Sequence, residues 1–554
     1  VPGDELAGRD SAADPSENVA AGGVPDSGVA DRVTAGADGP AARRRGRGLT
    51  GRLNSPVRAW LAIFTVSLAA FLVRFLVPNP VAQADNRDGP RLMCGLGLVP
   101  VTHGRPRFFS FAYFEYVHSP ACAGRAPYPS SQLVLLELAR LLTPVFGLPG
   151  SLNLIAQGVL MCTLASVGIA SLATGLRVRL WAQLLVAAVI WVIVADASFF
   201  DVMAGPFSEP AALVGLLLVA AGVVYLGRGW RPTLAGLALA GCGGCLTILS
   251  KEQYLVFAAP ICLTLVLATP ERGHWRGLRR FRTREAQAAL TVALILAVMT
   301  AGYIDLDFTS HYGKRLHYIQ AVDMIFTDIV TSQSSAPAEL RALGLPVSWA
   351  RYAGHFYWDT GSVRENPLFS RYEGRLTDSN IARYLLTHPG SVISIGQKAA
   401  TQALALRVTA LGDYPAFAGH PPRVTESRVE LLTWVIHRIP RRLGLLFYVP
   451  LWAAMAAIAL WALFWSRRRP WTRDGAVLVL CMTGCAITAF IPPAYFAGIS
   501  TTRHMVGMNL ATALAFTIAA GMAVSMIRQA LTRPTPPPRP GAVPAVPELT
   551  RRGS

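Results

Sequence analysis

Residues 57–90 read VRAWLAIFTVSLAAFLVRFLVPNPVAQADNRDGP. The run from Val57 to Val77 carries no charge except Arg58 and Arg74, and about 20 residues of helix cover the ~30 Å of a bilayer's hydrocarbon. It reads as a membrane-spanning helix ended by Pro78 and Pro80. Asp85 and Asp88 then stand where that helix leaves the bilayer. Three apart, they would share one side of a helical turn, but Gly89-Pro90 follows directly and biases the chain toward a turn instead. Such a turn presents both carboxylates, with Asn86 and Arg87 between them, to whatever the protein encloses outside. A turn cap at Asp85 and a solvated Asp88 explain the same residues equally well.

The rest of the chain repeats the pattern. Of 554 residues, 52% are hydrophobic and 15% charged, and the mean hydropathy is +0.40. The fold class is an all-α polytopic membrane protein of about ten transmembrane helices. Candidate spans are 57–77, 151–174, 180–199, 210–227, 232–249, 253–269, 287–304, 443–465, 475–494 and 505–527. The net charge of +19 sits largely in short basic connections, which reads as topology and not as nucleic-acid binding. Arg177-Val178-Arg179, Gly227 to Arg231, Glu271 to Glu285 and Ser466 to Arg469 are the basic ones, so they and both termini are expected in the cytoplasm.

Two long segments, 78–150 and 305–442, then lie outside, and neither reads as an independent soluble domain. Leu316 to Val330 and Val429 to Ile439 have helical spacing and suit interfacial helices. Residues 1–56 read as a disordered basic cytoplasmic tail, 57–527 as the membrane domain behind an uncleaved signal anchor, and 528–554 as a disordered Pro-rich cytoplasmic tail. Phe108 to Tyr116 suits interfacial anchoring more than carbohydrate stacking.

Polar candidates gather at the outer ends of spans. Asp201 and Glu209 flank one short connection, and Glu209-Pro210 also suits a helix N-terminus. Lys251 and Glu252 occupy a tight hairpin, where an exposed ion pair explains them as well as function does. Arg503-His504 runs against the positive-inside trend, which favours an anionic partner. Arg74 can snorkel to the surface with no further role. Cys242 and Cys245 have metal or redox spacing, but Gly236, Ala240 and Gly244 mark that helix as closely packed. Cys94 and Cys122 share the first outer segment and are a candidate disulfide. No phosphate-binding loop, dinucleotide fingerprint, HExxH or GxSxG is present.

Asp85-Asn86-Arg87-Asp88, Phe207-Ser208-Glu209-Pro210, Ser250 to Tyr254, the Ile325-Phe326 to Pro346 stretch and Arg503-His504 together resemble the GT-C superfamily of integral-membrane glycosyltransferases. Within it the chain looks most like glycan-biosynthesis hexosyltransferases of actinobacteria and other Gram-positive bacteria, over roughly residues 57–527. Arg87 departs from that pattern, which usually has Gly there. The resemblance implies a polyprenyl-phosphate sugar donor, an envelope glycan or lipid acceptor, a bacterial plasma membrane with the active face extracytoplasmic, and an Asp as the catalytic residue. Asp85 is the first choice for it and Asp88 the second, with Lys251, Arg503 and His504 for the donor phosphate. Glu209, Asp201 and Glu252 remain further candidates at the outer face. Two carboxylates this close suit either a general base or a divalent metal with oxygen ligands. A transporter or flippase of a lipid-linked sugar or another anionic amphiphile, and a non-catalytic envelope-assembly protein, are the competing readings.

Overall fold

The computed structural model describes residues 55–102, 107–123, 128–226, 228–268, 278–308, 314–332, 335–465, 470–498 and 501–532. The expectations for both tails, for 271–277 of the Glu271 to Glu285 stretch and for Ser466 to Arg469 lie outside the described residues, apart from the tails' inner ends. There the first helix starts at Pro56 and the last continues to Leu531.

Each of the ten apolar runs is helical. In chain order the helices used below are α1 (Pro56–Leu76), α2 (Gly89–Cys94), α3 (Gln132–Val145), α4 (Leu154–Gly175), α5 (Leu180–Ala195), α6 (Ala197–Met203), α7 (Glu209–Val223), α8 (Trp230–Ile248), α9 (Ala258–Leu267), α10 (Leu278–Phe308), α11 (Lys314–Asp323), α12 (Asp378–Thr387), α13 (Pro389–Ala403), α14 (Leu431–His437), α15 (Leu445–Trp465), α16 (Pro470–Tyr495), α17 (Thr501–His504) and α18 (Val506–Leu531). Among the described residues six hold a stretch long and apolar enough to cross a membrane: α1, α4, α10, α15, α16 and α18. A seventh span results if α5 and α6, bent by 69°, count as one. The run expected at 180–199 is therefore broken. Asp196 breaks it, because its carboxylate caps Ser198 N at 3.2 Å and starts a new helix. The runs at 210–227 and 253–269 form shorter apolar helices.

Local chemistry sets the ends. Pro56 stands in the first turn of α1, where its missing N–H costs nothing, and Val77 is extended before Pro78. Asn153 caps α4 through Ile155 N at 2.9 Å. Helices α7 and α8 meet backbone to backbone: a Cβ on Gly215 would lie 2.6 Å from the Gly243 carbonyl oxygen. Gly243, not Gly244, is thus the third small residue of that contact; Gly244 faces Leu294 of α10.

The first connecting segment is pinned by a three-stranded antiparallel sheet, β1 (Leu98–Pro100), β2 (Glu115–His118) and β3 (Leu152–Asn153), in that order. Val99 pairs with Val117, and Glu115 with Asn153. Cys94 and Cys122 are joined in a disulfide with a Cα separation of 5.0 Å. In the aromatic run, Phe111, Phe114 and Tyr116 are buried, so half of it is core and not an interfacial belt.

The second connecting segment builds a core of its own around Phe326, Trp349, Ile381 and Tyr384, meeting the span bundle at Tyr495. Asp323 lies inside it, with Oδ1 accepting from Tyr357 N at 2.6 Å. Burial pushes the Asp323 carboxyl up to about 7, against the pull of that amide. Its folded value lies above the ~3.9 of an unfolded chain, so the native state keeps a proton that the unfolded chain has lost. This contribution to stability is present below about pH 4 and disappears as pH rises through about 7. Asp323→Asn should flatten that part of the stability profile, read from unfolding midpoints in detergent between pH 4.5 and 8. An unchanged slope would refute the assignment.

Candidate functional site

Asp85 organises the turn it begins. Its Oδ1 accepts from the amides of Arg87 and Gly89 at 2.7 and 3.0 Å. A Cβ on Gly89 would run into the Asp85 carboxylate, so a larger residue there would push that carboxylate out of the turn. Arg87 takes φ +82°, the left-handed conformation that Gly adopts freely and other L-residues at a cost of roughly 1–2 kcal/mol. Arg87 thus holds the backbone that a glycine would take there. Burial raises the Asp85 carboxyl to about 6, opposed by those two amides. With 3% of its surface exposed, Asp85 is a turn-former enclosed by its own loop.

Asp88, at the end of that turn, points elsewhere. It is ion-paired with Arg503 of α17, and Arg91 lies 3.9 Å away. Burial would raise the Asp88 carboxyl, but Arg503 and Lys251 outweigh it and hold the group well below the usual carboxylate range. Its side chain is 38% exposed. Arg503 Nε is 3.6 Å from Glu209 Oε1 at the start of α7, and Lys251 Nζ is 3.1 Å from the same oxygen. The guanidinium also lies 5.0 Å over the Phe207 ring. Lys251 therefore pairs with Glu209 and not with Glu252, its neighbour in the hairpin.

His504 closes the group. Its Nε2 faces Lys251 Nζ at 3.2 Å and Arg503 Nη2 at 3.4 Å. Two cationic donors make Nε2 the acceptor, which assigns the proton to Nδ1. Burial, then Lys251 and Arg503, hold the imidazole well below its usual pKa, so it is neutral. Among the described residues His504 Nδ1 and Arg503 Nε and Nη1 are buried without a hydrogen-bond partner. Such donors cost about 1–3 kcal/mol each until an acceptor arrives.

The remaining sequence candidates go elsewhere. Glu252 accepts from Tyr128 Oη. Asp201 enters a second, fully buried ionic cluster: Arg74 Nη2 lies 3.4 Å from its Oδ1, Arg407 Nη2 lies 3.3 Å from its Oδ2, and Arg74 also pairs with Glu426 and Arg407 with Asp413. Arg74 is 5% exposed, which corrects the expectation that it snorkels to the surface. This cluster lies against the Asp85 loop, because the Asp413, Asp201 and Gly412 carbonyls accept the amides of Ala82, Gln83 and Ala84 at 3.0, 2.8 and 2.7 Å. Arg407, Asp413 and Glu426 were not singled out in the sequence. Among the described residues no three His, Cys, Asp or Glu side chains gather to hold a metal, and the cation that faces Asp88 is a guanidinium.

A bundle of apolar helices with its ionisable side chains drawn together from connections at the helix ends defines a polytopic α-helical membrane protein. Residues 50–533 match the family described as the YfdI N-terminal transmembrane domain, and the chain belongs to that family. No curated protein and no solved structure matches it.

Proposed function

We propose that the chain is a membrane glycosyltransferase that moves a sugar from a polyprenyl-phosphate-linked donor to an envelope glycan or lipid. In this reading it lies in a bacterial plasma membrane with both termini cytoplasmic and the Asp88 end of the bundle outside. One observation carries it: Asp88, Glu209, Lys251, Arg503 and His504 converge from four separate stretches, and three buried donor atoms there lack a hydrogen-bond acceptor among the described residues. A phosphate oxygen would satisfy Arg503 Nη1 and His504 Nδ1–H with charge-assisted geometry.

The chemistry follows from that arrangement. The acceptor hydroxyl attacks the anomeric carbon of the donor, its proton passes to Asp88, and the carbon–oxygen bond to phosphate breaks. The electron pair leaves with the phosphate, where Lys251 and Arg503 offset the developing charge. Without donor, Arg503 clamps Asp88; a phosphate that takes over Arg503 frees the carboxylate to act as base. Asp85 shapes the loop and Glu209 holds the two cations in place.

Arg503→Ala and Lys251→Ala should each lower kcat/KM for the lipid-linked donor by about 10²-fold, and Arg503→Lys should recover part of the loss, because it keeps the charge but not the fork. The assay is transfer of labelled sugar from a polyprenyl-phosphate donor in membranes containing each variant. Wild-type transfer by both alanine variants would sink the phosphate assignment.

A further inference from the structure

Residues 431–443 lead from the second connecting segment into span α15, and they present two kinds of exposed surface. On α14, Leu431, Trp434 and Val435 are 56%, 55% and 46% exposed. The opposite side of the helix is fastened inward, where Thr433 N and Oγ1 donate to the Asp196 carboxylate at 3.0 and 2.6 Å. Directly after it, Arg438, Arg441 and Arg442 are all exposed. None of the three has a carboxylate within ion-pair distance among the described residues. The Arg438 guanidinium lies 4.6 Å over the Trp434 ring, so the basic edge and the apolar face are one surface.

The turn that carries these arginines is held in place from both sides. Leu445 N donates to Gln397 Oε1 at 2.8 Å and Gln397 Nε2 donates to the Arg442 carbonyl at 2.6 Å, which ties the turn to α13. Leu446 and Val449 of α15 then continue the exposed apolar surface at 73% and 52%. Exposed apolar residues thus stand on both sides of the arginine turn, on α14 before it and at the start of the span-length helix α15 after it. A Trp with neighbouring arginines there matches the headgroup region, where the ring lies at the boundary and the guanidinium stems reach the phosphates.

We propose that residues 431–443 form an anchor that binds anionic phospholipid. Leu431, Trp434 and Val435 enter the acyl boundary, and Arg438, Arg441 and Arg442 hold the headgroup phosphate. Charge complementarity and the continuity with α15 both select a lipid surface over a protein partner. The assignment does not depend on the glycosyltransferase reading, and its test needs no activity.

The test is native mass spectrometry of the detergent-purified full chain titrated separately with phosphatidylglycerol, phosphatidylcholine and undecaprenyl phosphate. Phosphatidylglycerol is expected to bind more tightly than phosphatidylcholine. The combined Arg438→Gln, Arg441→Gln and Arg442→Gln variant should weaken its tightest binding by roughly fivefold or more, about the worth of one basic residue at an anionic surface. Replacing the same three with Lys should keep the binding, and Arg341→Gln with Arg371→Gln should leave it unchanged. If the triple Gln variant does not fold, Arg441→Gln with Arg442→Gln, both in the turn beyond α14, carries the same expectation. Undiminished phosphatidylglycerol binding in a folded Gln variant overturns the proposal. So does equal binding of the two phospholipids by the wild type, or loss confined to undecaprenyl phosphate, which would mark a donor site instead.

Discussion

Asp88→Asn is expected to lower sugar transfer by about 10² to 10⁴-fold, the usual worth of a positioned general base, with the protein still inserted and folded. In the proposed chemistry the base is Asp88 and not Asp85. A base must come within hydrogen-bond reach of the acceptor hydroxyl, and the Asp88 side chain is 38% exposed beside Arg503, whereas Asp85 is 3% exposed and engaged with its own loop. Proton affinity alone would have chosen Asp85, whose carboxyl is pushed up to about 6. Asn at position 85 keeps a carbonyl oxygen for the amides of Arg87 and Gly89, so Asp85→Asn should cost no more than about tenfold, or 1.4 kcal/mol of barrier. Transfer assays on the two variants decide between the carboxylates. A tolerated Asp88→Asn beside an inactive Asp85→Asn would exchange the roles, and wild-type activity in both would remove the loop from the chemistry.

Arg407→Ala should destabilise the protein by about 3–5 kcal/mol, because it leaves buried carboxylates without their counter-ion. Asp413 and Asp201 both rely on this guanidinium, and Arg74 can balance only part of the remaining charge. The same change should reduce transfer, although Arg407 belongs to the second cluster and not to the Asp88 group. The carbonyls of Asp201 and Asp413 hold the amides of Gln83 and Ala82, so loosening the cluster loosens the loop that carries Asp85 and Asp88. Arg407→Lys keeps the charge without the fork and should fall between alanine and wild type. Unfolding by heat in detergent micelles, followed alongside transfer, reads both effects. Wild-type stability in Arg407→Ala would show that the cluster carries no net stabilisation.

Hydrophobic run length determined the helices on its own, because a residue facing lipid must be apolar wherever it lies on the helix. The ten runs, the end of α1 before Pro78 and the turn at Asp85 to Gly89 follow from covalent geometry and from neighbours within a few residues, which is information the sequence carries locally. The small-residue face of α8 was legible for the same reason, to within one position. Asp88, Glu209, Lys251 and Arg503-His504 were each legible as polar groups near helix ends, but which of them pair with one another was not.

Pairing was decided by the tertiary structure alone. Asp201 and Glu209 are neighbours in one short connection, yet Asp201 turns to Arg74 and Arg407 while Glu209 turns to Lys251 and Arg503. The bend at Asp196 and the turn before α7 aim them apart, and no periodicity encodes a direction across such a break. Arg74 looked like a snorkelling residue because an isolated span would leave it at the bilayer surface. In the folded chain Glu426, hundreds of residues later, meets it in a buried cluster. The attraction between two charges depends on their separation in space and on the water excluded around them, and neither is fixed by their separation along the chain.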